Sequence, residues 1–220
     1  MSTIAIVGGN GKIARLLHPA LLDRGHTPVA LVRSEEQRAD LEALGAQVRL
    51  LDIENSDVDD FVRAFEGCDA VVFTAGGGPD GNIERKRTVD LEGSLKSIQA
   101  AQRAGISRFV QVSAISVDDP LPEDIQPVWR AYVEAKRDAD AALRDTDLAW
   151  TILRPGRLTD DPGEHEVALG PDVERDEVPR ADVAELLATI VDDPRTHGRQ
   201  WNLVAGETPI EEAVSALVGG

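Results

Sequence analysis

A tyrosine and a lysine four positions apart are the residues of this sequence best suited to proton transfer. Tyr132 is the only tyrosine among the 220 residues, and Lys136, one of four lysines, follows it in the stretch YVEAK. On a helix, residues at i and i+4 share one face. An ammonium beside a phenol stabilises the phenolate, so this spacing predicts a lowered pKa for Tyr132 and an acid/base role near neutral pH.

A serine stands at the end of the apolar run that precedes this helix. Ser113 occurs in FVQVSAIS, directly after residues 109–112. Its hydroxyl could hold a substrate carbonyl from the carboxyl end of a strand. We therefore predict Ser113, Tyr132 and Lys136 as the catalytic residues.

A glycine-rich turn near the start of the chain is typical of a diphosphate site. In IAIVGGNGKIARLL, either Gly8 or Gly9 can begin a glycine motif that continues through Gly11 to Ala14, as G-x-x-G-x-x-A or G-x-G-x-x-A. Such glycines permit a tight strand-to-helix turn and a close approach of phosphate to free helix N–H groups. The residues expected to bind the diphosphate are Gly8, Gly9, Asn10, Gly11, Lys12 and Ile13, although Lys12 is equally explained as a solvated lysine.

The residue after the second strand-like run bears on which nucleotide is bound. A site that prefers NAD places Asp or Glu about 20 residues after the glycines. Here the run PVALV is followed by Arg33, and Glu35 lies beyond the strand end. A guanidinium can pair with a 2′-phosphate, so NADP(H) is favoured over NAD(H); the alternative is that Arg33 is only a surface charge.

Two further turns are expected to complete the adenosine and ribose side of the site. Asp52 and Ile53 follow the third strand-like run, and Asp52 could accept from an adenine amino group or simply form a turn. After the fourth run, the small residues Ala75, Gly76 and Gly77 would let a ribose lie against bare backbone, or would form a mobile loop.

Strand-like and helix-like segments alternate along the whole chain. The strand-like runs are residues 4–7, 29–32, 48–51, 70–73, 109–112, 149–153 and 201–204, and the helix-like segments are residues 11–23, 35–44, 58–66, 83–104, 128–144, 181–191 and 209–218. The alternation predicts an α/β fold, a doubly wound parallel sheet in a single domain of residues 1–220. The irregular regions 114–127 and 155–178 both follow strands, so we expect them to form the substrate side.

Together these features resemble the short-chain dehydrogenase/reductase superfamily. The stretch YVEAKRDADAALRDTDLAWTILRPGRL, the helix PRADVAELLATIVDDP and the ending GRQWNLVAGETPIEEA are similar to its atypical branch, which includes NmrA-like, biliverdin/flavin-reductase-like and small sugar-epimerase-like proteins. The resemblance covers nearly the whole chain. It implies a Rossmann-type NAD(P)-binding domain with a small C-terminal extension on the substrate side.

The resemblance also implies roles for individual residues. Tyr132 would donate or accept the proton, Lys136 would bind the nicotinamide ribose, and Ser113 would orient the substrate. Pro155 and Gly156 would line the nicotinamide. Two departures stand out: Asp90 occupies the place of an asparagine found in many members, and the part after residue 158 is too short for the usual nucleotide-sugar domain.

The amino-acid composition limits the kinds of partner and compartment that are expected for this protein. The formal net charge of −17 disfavours binding to nucleic acid and to anionic membranes. The only cysteine, Cys68, allows no internal disulfide, and no secretory signal or membrane span is expected, which fits the cytoplasm. The four histidines lack metal-ligand spacing, so no metal site is predicted.

Three functions remain open at this stage. The first is an NADP(H)-dependent oxidoreductase that transfers hydride to or from a small carbonyl, quinone or flavin-like acceptor. The second is a non-catalytic NAD(P)(H)-binding redox sensor, and the third is a small epimerase- or dehydratase-like enzyme. The pairing of Tyr132 with Lys136 favours an enzyme acting on a small-molecule substrate, as a monomer or a homodimer.

Overall fold

The apolar runs of the sequence form a nine-stranded sheet in the computed structural model, which describes residues 1–78 and 81–219. The strands of the structure are β1 (Thr3–Val7), β2 (Thr27–Val32), β3 (Gln47–Leu50), β4 (Ala70–Phe73), β5 (Arg108–Val112), β6 (Ala149–Pro155), β7 (Arg157–Thr159), β8 (Glu166–Gly170), β9 (Glu177–Pro179), β10 (Arg199–Ala205) and β11 (Thr208–Pro209). The large sheet has the order β11-β8-β10-β6-β5-β4-β1-β2-β3. Its pairs from β10 to β3 are parallel, β8 runs antiparallel to β10 and β11, and β7 pairs with β9 separately.

Helices cover both faces of this sheet. They are α1 (Lys12–Asp23), α2 (Arg38–Ala43), α3 (Val58–Ala64), α4 (Ile83–Arg85), α5 (Gly93–Arg103), α6 (Pro127–Arg144), α7 (Arg180–Ile190) and α8 (Ile210–Val218). Short 3₁₀ turns occupy Glu35–Gln37 and Pro194–Thr196. A π-helical segment, Lys86–Glu92, joins α4 to α5.

The alternation of side chains along each strand explains why the strands are apolar throughout. In β1, Ile4 and Ile6 pack into one core with α1, α7 and α8. Ala5 and Val7 point to the other face and pack into a second core with α3 and α5. A central parallel strand is therefore buried on both sides, and a hydrophobic run without polar interruption results.

The order of the strands creates a crevice between β1 and β4. The chain passes from β1 to β2 and β3 on one side, then crosses back to β4 and continues to β5 and β6 on the other. Ligands in open α/β sheets bind outside the carboxyl ends of the strands at such a switch point. The glycine turn after β1 and the loop 74–78 after β4 both lie there.

The predicted fold class is confirmed, with two local differences. Region 155–178, expected to be irregular, contains β7, β8 and β9. Their residues pair with β10, with β11 and with each other, partners that are distant in sequence. The helix predicted over 83–104 is present, but its π-helical segment changes which of its residues face the sheet.

Candidate functional site

The glycine turn after β1 is shaped by close packing against two neighbouring segments. Gly8 has φ +83°, and a Cβ on it would lie 2.8 Å from the Cα of Ala75. A Cβ on Gly9 would lie 2.8 Å from the Cα of Ala30 in β2. Both contacts are with backbone, so a side chain at Gly8 or Gly9 would force the neighbouring segment to shift and would destabilise the fold.

Gly11 stands in a different environment. A Cβ there would meet only the carbonyl oxygen of Gly8, at 3.2 Å, and Gly11 is exposed. It is the N-cap of α1, which begins at Lys12 without a capping side chain. The first N–H groups of the helix therefore face the open side of the turn, where an anion is favoured. Ile13 is buried, so only its backbone is available to such a ligand.

A buried histidine supports the turn from below. The ring Nε2 of His18 lies 2.7 Å from the carbonyl oxygen of Gly9. Because a carbonyl only accepts, Nε2 carries the hydrogen. Burial lowers the pKa of His18, although the bond to Gly9 acts in the opposite direction. The sequence offered no signal for this role beyond the position of His18 on the buried face of α1.

Arg33 is exposed at the carboxyl end of β2, beside a cavity of about 440 Å³. The cavity also contains Arg49 and Arg63. Arg49 donates to the carbonyls of Ala64 and Glu66, and Arg63 forms an ion pair with Asp60. Across residues 1–78 and 81–219, by contrast, Arg33 has no hydrogen bond or ion pair. Its guanidinium is thus available for a ligand.

Asp52 lies in the same cavity, but its carboxylate is engaged by its own turn. The backbone N–H groups of Glu54 and Asn55 and the side-chain amide of Asn55 donate to it, at 3.0, 3.3 and 2.8 Å. These bonds, first that from the Asn55 side chain, lower the pKa of Asp52. Of the two explanations left open by the sequence, the geometry fits the turn. The carbonyl of Ile53 is likewise taken by the Lys96 ammonium.

The loop after β4 is held by a buried carboxylate. Asp90, 1% exposed in the π-helical segment, accepts from the backbone N–H of Gly77 at 2.8 Å. A Cβ on Gly77 would lie 2.7 Å from the carbonyl oxygen of Arg85. Gly76 is exposed beside it, whereas Ala75 is buried. The small residues predicted for a ribose contact therefore also let this loop pack against the helix.

Tyr132, Lys136 and Asp140 form a column on one face of α6. The Lys136 ammonium lies 3.3 Å from Asp90 Oδ1 and 3.2 Å from the carbonyl oxygen of Val112. The Tyr132 hydroxyl has no hydrogen-bond partner among the described residues. The expected lowering of the Tyr132 pKa is wrong for this arrangement: burial raises it, and the opposing charge of Lys136 does not compensate.

The Ser113 hydroxyl belongs to a buried hydrogen-bond network around Asp140, which was not predicted from the sequence. Its hydroxyl lies 2.8 Å from Asp140 Oδ2, and Asp140 also accepts from the Gln111 amide at 2.7 Å and Arg154 Nε at 2.9 Å. Asp140 is wholly buried, and its ion pair with Arg154 makes it an acceptor. The Ser113 hydroxyl therefore donates its hydrogen bond to Asp140, and toward a ligand it offers only lone pairs unless that bond breaks. Asp140 follows Lys136 at the same spacing of four residues that separates Lys136 from Tyr132. This spacing could have predicted that Asp140 lies on the same face of α6.

Aromatic rings and cations surround Tyr132 on its open side. The ring of Trp129 is 5.2 Å from that of Tyr132, centroid to centroid. The Arg175 guanidinium, from the loop between β8 and β9, is 5.7 Å from the Trp129 ring. The Lys86 ammonium, in the π-helical segment, is 5.7 Å from the Tyr132 ring and donates to the carbonyl of Gly78. Region 155–178 thus reaches the mouth of the Tyr132 site through Arg175.

The two regions expected on the substrate side also line a second cavity, of about 410 Å³. Ser116 and Asp118 come from one region, and Glu174 and Arg175 from the other. Pro155, at the end of β6, accepts from the N–H of Ile115, which ties the two regions together. Gly156 next to it is crossed by the carbonyl of Asp176, too closely for any side chain.

Lys12 reaches from the start of α1 to the substrate side. It forms an ion pair with Asp160, which also binds Arg180 at 2.6 Å. Lys12 is exposed, so its ammonium can exchange this partner for another anion at little cost. The carboxylate of Asp160 therefore stands close to the predicted diphosphate turn.

Residues 1–78 and 81–219 contain neither a candidate metal site nor a candidate membrane span. No three His, Cys, Asp or Glu side chains there could hold a metal ion together. No helix in these ranges is long and apolar enough to cross a membrane.

Comparison with known proteins bears on the family and the fold of this chain. A sequence family described as NAD(P)H-binding matches residues 8–194. The Bacillus subtilis (strain 168) protein named Uncharacterized sugar epimerase YhfK is 39% identical over 215 residues, 97% of this chain and 99% of its own. A solved structure of a candidate NAD-dependent epimerase/dehydratase from Bacillus halodurans is 37% identical, with a TM-score of 0.91 over 98% of this chain and 100% of its own. The oxidoreductase ylbE from Lactococcus lactis is 26% identical, with a TM-score of 0.85 over 99% and 97%.

Gly11→Val is expected to abolish NADPH binding and to leave the fold intact, because the side chain enters only the open side of the turn. Isothermal titration with NADPH measures the affinity, and circular dichroism measures the fold. Gly9→Ala is the contrasting variant, since its Cβ meets the backbone of β2 and should impair folding itself. Unchanged NADPH affinity in Gly11→Val would remove the diphosphate assignment from this turn.

His18→Gln is expected to reduce the loss of folding stability that occurs as the pH falls. The pKa of folded His18 lies below its unfolded value of about 6.5, so the unfolded state binds the proton first and wild-type stability falls as pH drops below that value. One such group contributes at most about 1.4 kcal/mol per pH unit. Urea unfolding at pH values from about 5.5 to about 7.5, on either side of the unfolded pKa of about 6.5, measures how the free energy of unfolding changes with pH. The exposed His165→Gln is the control, and equal slopes in both variants would contradict the assignment.

Proposed function

The chain belongs to the NAD(P)H-binding family, and on that premise we propose that it is an NADP(H)-dependent oxidoreductase. It transfers hydride between NADP(H) and a small carbonyl, quinone or flavin-like acceptor. The observation that carries the proposal is that the glycine turn before α1 and an unbonded Tyr132 hydroxyl open onto the same edge of one sheet, on either side of the crevice between β1 and β4.

The cofactor site fits a dinucleotide in three places. The open side of Gly11, with the first N–H groups of α1, suits the diphosphate. Arg33, exposed beside the 440 Å³ cavity, suits a 2′-phosphate, and this supports NADP(H) over NAD(H). The loop 75–77 and the buried Lys136 suit the nicotinamide ribose. Asp52 contributes by shaping its turn and is not needed as an adenine ligand.

Each residue near Tyr132 has a distinct part in the proposed reaction. When bound, the nicotinamide supplies or takes up the hydride. Tyr132 is the proton donor for the oxygen that gains negative charge, because its hydroxyl is not committed to another group. Ser113 offers lone pairs to a hydroxyl or N–H group of the substrate and does not donate to its carbonyl. Pro155 and Gly156 bring the backbone at the end of β6 close to the nicotinamide.

The mouth of the site suits an aromatic acceptor with negative charge. Trp129 is 42% exposed beside Tyr132, so a planar molecule can stack on it. Arg175 and Lys86 carry positive charge on either side of this aromatic pair. In a chain of net charge −17, these cations are the local attraction for an anionic substrate. Regions 114–127 and 155–178 form the substrate side in this proposal.

An epimerase-like reaction is the second candidate, because two of the similar proteins are named as epimerases. Such a reaction returns the hydride to the substrate and produces no net oxidation of NADPH. A panel of quinones, flavins, aldehydes and ketones, followed by NADPH absorbance, tests the oxidoreductase directly. Tight NADPH binding without turnover on the whole panel would contradict it and would favour an epimerase or a redox sensor.

Arg33→Ala is expected to weaken NADPH binding by about 1.5–3 kcal/mol, the range for a hydrogen bond to a charged group. NADH affinity should change much less, since NADH lacks the 2′-phosphate. Calorimetric dissociation constants for both cofactors decide the point. Arg63→Ala, which removes a cation already paired with Asp60 from the same cavity, should leave both constants nearly unchanged. Equal losses for the two cofactors in Arg33→Ala would assign Arg33 to adenine or to the fold.

Tyr132→Phe is expected to reduce turnover of a carbonyl substrate by about 10²–10⁴-fold, the range for general acid catalysis. The variant keeps the ring and its contact with Trp129, so NADPH affinity should barely change. Single-turnover rates with NADPH and the best acceptor measure the effect. Full activity on a carbonyl would refute the role of Tyr132, whereas activity retained only on quinones or flavins would indicate acceptors that need no tyrosine proton.

A further inference from the structure

A buried ion pair lies one helical turn from Tyr132. Lys136 Nζ and Asp90 Oδ1 are 3.3 Å apart, and their side chains are 6% and 1% exposed. The ammonium is also near the carbonyl oxygens of Val112 and Ala75, at 3.2 and 3.5 Å, and Asp90 Oδ2 accepts from Gly77 N–H. Both charges are buried, so each acts on its surroundings with little screening.

The charge of Asp90 opposes the effect of Lys136 on the phenol. Lys136 alone would favour the phenolate of Tyr132, and a carboxylate held against the ammonium cancels much of that field. Asp140, a turn beyond Lys136 on α6, is itself paired with Arg154. From the other elements, Lys86 and Arg175 face the aromatic pair with positive charge.

The direction in which the pKa of Tyr132 is shifted agrees with this geometry. Burial raises the pKa of Tyr132, Lys136 lowers it, and the charges of Asp90 and Asp140 raise it again. Burial alone would lower the pKa of Lys136, but the charges around the ammonium, that of Asp90 first, raise it overall. The two members of the ion pair, 3.3 Å apart, therefore act on the pKa of Tyr132 in opposite directions.

We propose that Asp90 is a positioning residue that keeps the Tyr132 hydroxyl protonated by neutralising Lys136, so that the site is built to donate a proton. The consequence for catalysis rests on the proposed function. A bound NADPH would supply the hydride to a carbonyl carbon and become NADP⁺, the C=O π pair would move to the oxygen, and Tyr132 would give that oxygen its proton. Water then reprotonates the phenolate. The reverse reaction needs the phenolate first, so alcohol oxidation requires alkaline pH.

The single tyrosine of the chain makes a direct test possible without cofactor or substrate. Ionisation of a phenol produces a red-shifted ultraviolet absorbance, and Tyr132 is the only residue here that can give it. In Asp90→Asn, the titration midpoint of the apo-protein is expected to fall by about one pH unit or more, the range for losing a nearby charge. In Lys136→Met it is expected to rise. The exposed Asp138→Asn, also on α6, is the control and should leave the midpoint unchanged.

Opposite shifts from the two ends of one ion pair cannot come from a general loosening of the site, which would move both midpoints toward that of a free phenol. Thermal unfolding establishes that each variant is folded at the start of its titration. If Asp90→Asn alone does not fold, the neutral double variant Asp90→Asn/Lys136→Met replaces it. Its midpoint should lie below that of Lys136→Met, because it lacks only the carboxylate. An unchanged or raised midpoint on removal of Asp90, in either background, overturns the proposal.

Kinetics separate this proposal from the proposed function. With an active acceptor, the pH at which alcohol oxidation begins should be lower in Asp90→Asn than in the wild type, by the same interval as the titration midpoint. If no acceptor is reduced by any variant, the oxidoreductase assignment fails while the titration still decides the role of Asp90. If turnover is normal but the midpoints do not move, the role of Asp90 fails and the oxidoreductase assignment stands.

Discussion

The ion pair between Lys136 and Asp90, with the backbone groups bonded to it, joins four segments of the chain. Lys136 belongs to α6, Asp90 to the π-helical segment, and the backbone groups that complete their bonding come from the loop after β4 and the end of β5. Burying two charges costs several kcal/mol each unless geometry and further hydrogen bonds offset the loss of water. The pair is stable only while all four segments keep their places, so the proposed ribose and proton-transfer sides share one anchor.

Much of the architecture could be predicted because it depends on local periodicity. Strands buried on both faces must be apolar throughout, and helices over them must be amphipathic, so all seven predicted strands appear in the sheet. Helical spacing likewise placed Tyr132 and Lys136 on one face of α6. The strands in region 155–178 escaped prediction because β7 and β9 have only 3 residues each, and because β8 is stabilised by pairing with distant residues of β10.

What a polar side chain does within the site depended on contacts that no spacing reveals. Asp52 stands where an adenine ligand would stand, yet its oxygens are taken by the next residues of its own turn. Ser113 follows the expected strand, yet its hydroxyl donates a hydrogen bond to Asp140, 27 positions away. The Tyr132 pKa was expected to fall because the sequence places Lys136 beside Tyr132. Burial and the charge of Asp90 raise this pKa, and both follow only from the three-dimensional structure.

The π-helical segment has a consequence for how this site can change over evolutionary time. A π turn holds an additional residue compared with an α-helix, and the phase of every later side chain follows from it. Deleting one residue within Lys86–Glu92 would restore an ordinary helix and rotate the neighbouring side chains by about 100° relative to one another. Lys86 and Asp90 could not both remain turned toward Tyr132. A single insertion or deletion, without any substitution, is therefore enough to add or remove the counter-charge of the acid/base pair, and descendants of one ancestral gene could diverge in this respect in one step.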